Sequence, residues 1–529
     1  MTTVDGGELL ARALEQRGVT HLFGLGGGHI NPTWWAAPSH GIRIIDVRHE
    51  AAAAHCAEGW ALATGEPGVA LVTAGPGLTN ALTGIATAHA QRSPIVVIAG
   101  AATSRGPDSG EVETLDQLEI VRPVTKWARR VHHLDRIPEY VEHAWRAATT
   151  GTPGPVYLEI AIDLIHSSID DATVESPTLM ERDATVAEPA GELVERAVAI
   201  LRDAKRPAIV AGSGVWWSGA AEELRALADR GIPVVTRQAA RGTLPDDHPM
   251  CFGRDWQNVV FQADVLLVIG KQLDYFFGYG RFPHLAHLLQ VDIEASEIGR
   301  NRVPVSVGIV GDAKPAMRAI ANALPALDSA GWVAQLRAQA DDVAAAKATL
   351  ARSEAHPIHP MRLCAEVQAR VEPDTTVVGD ASNMLMWTDA TFRALRPGCV
   401  PSMGNLGTIG HGVCYALAGG LAQPGSHPVW MVGDGSFGFN AMELDTAARH
   451  GVPIVTVIMN NRGWSAGWVP LGERHYERMA GAFDGVGFYV ETVAELGPAL
   501  DAAFASEHPS IVNVMLDPAA EYFPGRYLA

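Results

Sequence analysis

An aspartate between two glycines, Gly433-Asp434-Gly435-Ser436, and an asparagine pair, Asn460-Asn461, could together hold a hard cation and a phosphate; Asn461 stands 27 residues after Asp434. Magnesium takes oxygen ligands in an octahedron, usually one or two of them from side chains, with phosphate oxygens and water completing the shell. Asp434, the Asn461 amide oxygen and a backbone carbonyl near Gly463 would supply three. Gly433 and Gly435 would let the backbone come close to a phosphate. A helix starting near Ser436 would aim unpaired amide donors at it. The chemistry indicated is a magnesium-held diphosphate.

Two apolar runs must place these residues. Residues 428–432 read as a short buried strand ending at Asp434, and residues 453–459 as a second one ending at Asn460-Asn461. Between them, residues 439–450 carry apolar side chains at helical spacing, so the unit is strand, helix, strand. A right-handed crossover of this length makes the strands parallel, with both carboxyl ends on one edge of the sheet. Asp434 and Asn461 then meet at one point.

Gly-Asp-Gly followed at this spacing by Asn-Asn resembles the signature of thiamine diphosphate (ThDP) enzymes, which implies ThDP and Mg2+ as cofactors. The resemblance extends to residues 41–100, where Arg48-His49-Glu50, Gly75-Pro76-Gly77 and Asn80 resemble the pyrimidine-binding domain of that family. It puts Glu50 at the place of the glutamate that reaches a ring nitrogen of the aminopyrimidine. Burial would help such a carboxyl hold the shared proton. By the same resemblance Gly75, Asn80, Gly407, Gly433, Gly435, Ser436, Asn461 and Trp464 contact the cofactor. Ile409 stands where a bulky wedge folds it, and the Gly407 carbonyl can accept from its amino group. Ordinary core packing is the alternative for Ile409, as it is for Trp464 and Trp468. Family members assemble this site across a subunit interface, implying a homo-oligomer, a dimer at least and a tetramer by resemblance.

At 529 residues the chain is too long for one core, and 47% hydrophobic residues with 54 glycines suit an α/β protein rich in strand-to-helix turns. Linker-like stretches at 167–189 and 326–360 divide it into a pyrimidine-binding domain 1–167, a middle domain 190–325 and a diphosphate- and magnesium-binding domain 357–529. Strand-like runs at 69–73, 95–99, 208–211, 265–269 and 376–378 alternate with helical patterns, so each domain reads as an open, mostly parallel sheet in the α/β class. A net charge of −19 disfavours nucleic acid. Five scattered cysteines without Cys-x-x-Cys spacing indicate reduced thiols and a cytoplasmic protein. The opening residues carry no basic, apolar leader, and no window reaches about 18 uninterrupted apolar residues, so no export or membrane span is expected.

Short segments bear on the reaction. Gly28-His29-Ile30 resembles a segment of benzaldehyde lyase, making His29 an acid/base candidate. Residues 435–443 and 290–299 resemble oxalyl-CoA decarboxylase and 2-hydroxyacyl-CoA lyase. Together these imply a ThDP-dependent carbon–carbon lyase or carboligase acting on small-molecule 2-hydroxy carbonyl compounds or acyl-CoA thioesters. Glu113 stands near where many relatives have a glutamine facing the substrate, and a carboxylate there would repel a free 2-oxo acid. Acetolactate synthase, which has a run similar to Leu406-Gly407-Thr408-Ile409-Gly410, is the runner-up, with flavin binding doubtful because the residues after Asp247-His248-Pro249 depart from that family. The glycine-rich turn 211–219 reads as structural. Arg254, Lys271, Arg281, Arg300 and Arg302 are candidate phosphate partners in the middle domain. The tail 521–529 is either a lid or a frayed end.

Overall fold

A computed structural model describes residues 2–106, 109–180, 186–380, 382–401, 404–464 and 469–520, apart from the side chains of 302, 382 and 383. Trp468, the Arg302 side chain and the tail 521–529 lie outside the described residues.

Three parallel sheets flanked by helices carry the fold, which bears out the α/β class. The first, six-stranded, runs in the order Arg43–Asp46, His21–Gly24, Gly68–Val72, Ile95–Ala101, Val156–Ala161, Trp127–Arg130. A second, five-stranded sheet has the order Val234–Thr236, Pro207–Ala211, Val265–Ile269, His287–Asp292, Val307–Val310. The third orders Val377–Asp380, Val429–Gly433, Val455–Asn460, Ser510–Met515, Val486–Val490. Central strands such as Gly68–Val72 and Val265–Ile269 are buried at every residue. Covering both faces with helices requires this, and it explains why the strands read as continuous apolar runs rather than alternating ones.

Packing divides the chain into two compact units. The first comprises Met1–Thr185, Met403–Gly425 and Phe439–Ile454 and contains the six-stranded sheet. Its core gathers Leu10, Leu14, Leu71, Ile98 and Ile160. The second comprises Val186–Ser402, Ser426–Gly438 and Val455–Ala529 and contains both five-stranded sheets, with Leu224, Leu267 and Ile320 in one core cluster and Met431, Val457 and Leu500 in another. The glycine-rich turn at 211–219 packs tightly on the next strand end: a Cβ at Gly214 would lie 2.7 Å from Gly270 Cα.

Residues 439–450, expected as one helix, form parts of two, Asp434–Asn440 and Glu443–Arg449. The apolar periodicity there misleads because Phe439 and Met442 are 59% and 49% exposed and line a cavity instead of the core.

Candidate active site

In the first unit Glu50 opens the Glu50–Thr64 helix, with the His49 side chain as N-cap accepting from the Ala51 amide. An acidic residue in a first helical turn is normally solvated, yet Glu50 is only 7% exposed. Its Oε2 accepts from Asn80 Nδ2 at 2.9 Å. Asn80 in turn lines a cavity of about 830 Å³, together with His49, His55, Gly407, Ile409 and Phe439. That volume lies in the range of small-molecule and cofactor sites. Ile409 is half-buried on the cavity wall. Gly407 adopts φ 70°, and the loop is tied down by a Thr408–Thr87 hydroxyl pair at 2.8 Å and by Asn440 Nδ2 donating to the Gly410 carbonyl at 2.7 Å.

Also in the first unit, His29 is nearly buried, its side chain 12% exposed, which sets aside a loose surface role. Its Nδ1 lies 3.0 Å from Glu113 Oε2 and 3.4 Å from Thr73 Oγ1, which itself donates to Glu113 Oε2 at 3.1 Å. Glu113 takes a left-handed backbone, φ 62°, against Gly75, φ 56°. A Cβ at Gly75 would lie 3.0 Å from that of Glu113. Gly75 is needed there both for its conformation and for space. Its amide donates to Gln117 Oε1 at 2.7 Å, and Gln117 Nε2 donates to the Gly100 carbonyl, Tyr157 Oη and Glu159 Oε2. Sequence reasoning missed Gln117. It opens the short Gln117–Val121 helix and is only 1% exposed.

In the second unit Asp434 and Asn461 come together as the strand–helix–strand argument requires. Gly433 pairs with Met459 across parallel strands, so the two chain ends emerge side by side. One terminal atom of the Asn461 amide lies 2.7 Å from the Gly463 carbonyl oxygen and 3.2 Å from Asp434 Oδ1. As nitrogen it donates to both. As oxygen it accepts from the Gly463 amide at 3.3 Å and stands with two further oxygens, a set that a cation would hold together. Adjacent ligands in a magnesium octahedron sit about 2.9 Å apart, given metal–oxygen bonds of 2.0–2.1 Å, and the two separations bracket that value. Asp434 is 3% exposed, and burial pushes its carboxyl up to about 6 against the pull of the Gly435 and Gly463 amides. Asp434 Oδ2 and Ser436 Oγ are buried with no hydrogen-bond partner among the described residues. Two stranded polar atoms beside an oxygen triad suit a divalent cation and an anionic group, and the residues fit magnesium and a diphosphate. Among the described residues no group of three or more His, Cys, Asp or Glu side chains is gathered.

A Cβ at Gly435 would meet the Trp464 indole at 2.8 Å, so the glycine also makes room for that ring. Of the middle-domain cations, buried Lys271 pairs with Asp274, Arg300 pairs with Glu297 at 2.7 Å, and Arg254 reaches the Thr391 carbonyl at 3.4 Å.

Comparison with known proteins agrees with this geometry. Residues 4–120 match the thiamine pyrophosphate enzyme N-terminal TPP binding domain, 194–320 the central domain and 380–514 the C-terminal TPP binding domain. The chain is 36% identical to an acetolactate synthase large subunit of Mycobacterium tuberculosis, over 98% of this chain and 97% of that one. It is 30% identical to a 2-hydroxyacyl-CoA lyase of Arabidopsis thaliana, over 99% and 97%, and 29% identical to 2-hydroxyacyl-CoA lyase 1 of Homo sapiens, over 98% and 95%. With three matching domains and relatives spanning nearly its whole length, the chain belongs to the family of thiamine pyrophosphate enzymes, thiamine pyrophosphate being another name for ThDP.

Proposed function

We propose that this ThDP enzyme is magnesium-dependent and makes or breaks a carbon–carbon bond beside a hydroxyl-bearing carbon, as a lyase or carboligase on 2-hydroxy carbonyl compounds or their CoA thioesters. The observation that carries this reading is the His29–Glu113 pair. Breaking such a bond begins with removal of the hydroxyl proton, which decarboxylation of a 2-oxo acid does not require. A histidine whose Nδ1 is held by a carboxylate at 3.0 Å has Nε2 as the ring atom that exchanges a proton.

When bound, ThDP would supply a nucleophilic ring carbon and an electron-poor thiazolium ring to take up the electron pair of the cleaved bond. Glu50, with Asn80 fixing one carboxyl oxygen, holds the proton shared with the pyrimidine ring. Ile409 and Gly407 shape the cavity wall that would bend the cofactor. Asp434, the Asn461 amide oxygen and the Gly463 carbonyl would hold Mg2+, and Ser436 would reach a phosphate oxygen. The protein acts as a homo-oligomer, a dimer at least and a tetramer by family likeness, and five buried cysteines outside any disulfide suit a cytoplasmic location.

A second reading, a decarboxylating synthase of the acetolactate type, is favoured by the 36% identity to the mycobacterial protein. Pairing of Glu113 with His29 also weakens the repulsion a 2-oxo acid would meet. Product analysis with benzoin, a 2-hydroxyacyl-CoA and pyruvate, each with ThDP and magnesium, separates the two. Cleavage of either hydroxy compound is expected, and acetolactate from pyruvate alone would overturn the first reading. Under either, Glu50→Gln is expected to abolish turnover with cofactor affinity largely kept, and near-wild-type rates would remove the proton-holding role.

A further inference from the structure

Glu443 opens the Glu443–Arg449 helix, where an acidic side chain would ordinarily face water, yet it is 1% exposed. Its carboxylate accepts from the Arg48 amide at 3.0 and 3.1 Å and from the His49 amide at 3.1 Å. These two donors immediately precede Glu50. Thr446 Oγ1 donates to Glu443 Oε2 at 2.6 Å and fixes its orientation. The same helix grips the segment elsewhere. Arg449 donates to the Asp46 carbonyl at 2.7 Å and pairs with its side chain, His450 Nε2 lies 2.9 Å from Asp46 Oδ1, and Arg48 reaches Asp445 at 3.5 Å. Val47 is held from the sheet by its amide donating to Gly24 at 2.9 Å. Every residue from Asp46 to His49 is thus anchored, and the buried contacts converge on Glu443.

We propose that Glu443 is a positioning residue: its carboxylate fixes the Arg48–His49 backbone and so sets where the helix presents the carboxyl of Glu50. Burying a carboxylate costs free energy that charge-assisted bonds to amides must offset. Oε1 accepts from both amides and Oε2 from the Arg48 amide again, so a glutamine that kept its oxygen in the Oε1 place would set its NH2 group against the Arg48 amide at 3.1 Å and lose the charge that strengthens both bonds. Misplacement of a reacting group by about 1 Å costs on the order of 10²-fold in rate. The inference rests on Glu50 holding the proton, as proposed above.

The test compares full-length wild type with Glu443→Gln and Thr446→Val. Hydrogen–deuterium exchange of the cofactor-free proteins is expected to show the Arg48 and His49 amides exchanging roughly tenfold faster or more in Glu443→Gln, with a smaller effect in Thr446→Val. Steady-state kinetics with ThDP and magnesium is expected to show kcat lower by on the order of 10²-fold in Glu443→Gln, with substrate KM within about twofold. Unchanged exchange at those amides, or faster exchange with unchanged kcat, would overturn the proposal. So would a kcat loss that only tracks the folded fraction. If instead Glu50→Gln itself turned over normally, the role of Glu50 would fail while the exchange result still reported on the anchor.

Discussion

His29 Nδ1 and Glu113 Oε2 lie 3.0 Å apart, and Glu113 reaches that position only through a left-handed backbone, φ 62°. A glutamate in this region costs about 1–2 kcal/mol relative to ordinary backbone. Nothing about local chain geometry asks for glutamate there; the gain lies in the histidine it meets.

Glu113→Gln keeps the shape and the backbone but removes the charge facing His29. If His29 exchanges the substrate's hydroxyl proton, kcat/KM for a 2-hydroxy carbonyl compound is expected to fall by about 10²-fold, with a thermal midpoint near that of wild type. An undiminished rate would detach the pair from the chemistry.

Asp434→Asn tests the oxygen triad without touching the first unit. Magnesium bound to wild type at about 100 times its Kd would stabilise the protein by about 2.7 kcal/mol. The variant is expected to lose that magnesium-dependent rise in thermal midpoint, and ThDP titrations should no longer depend on magnesium. A full midpoint shift in the variant would rule out Asp434 as a ligand.

Glu58 lies fully buried in the Glu50–Thr64 helix, accepting from Gln91 Nε2 and Ser93 Oγ, each at 3.0 Å. Burial pushes its carboxyl up to about 7 from 4.5, against the hydrogen bonds of Tyr415, Ser93 and Gln91. Between those values the folded chain holds a proton that the unfolded chain releases, so stability falls as pH rises through this window. Glu58→Gln removes the effect. Its stability relative to wild type is expected to grow by about 3 kcal/mol from about pH 4.5 to about pH 7, then level off. Denaturation at a series of pH values would show it, and a pH-independent gap would contradict it.

What could be read from residue order was whatever depends on strand ends. Asp434 and Asn461 meet because a helix-bearing crossover makes the two strands parallel, and residue types alone reveal both. Misread was the stretch around Phe439 and Met442: apolar spacing does not tell a core face from a cavity wall, and here the wall won. Glu443 and Gln117 escaped because their backbone partners, the Arg48 and His49 amides for one and the Gly75 amide and Gly100 carbonyl for the other, lie far along the chain and leave no mark in side-chain patterns. Lys271 seemed available for phosphate until the turn brought Asp274 against it. Gly435 illustrates the same blindness, since its neighbour Trp464 arrives only through the fold.

The pairing of Gly433 with Met459 has a further consequence for how this chain tolerates change. Since Asp434 and Asn461 hang from adjacent strand ends, the register of this one pairing sets their separation. One residue added inside Val429–Gly433 or Val455–Asn460 would turn the side chains beyond it to the sheet's other face. Insertion scanning should find both strands lethal to cofactor retention, and the crossover intolerant at Ser436 and Glu443, whose side chains the proposed site uses.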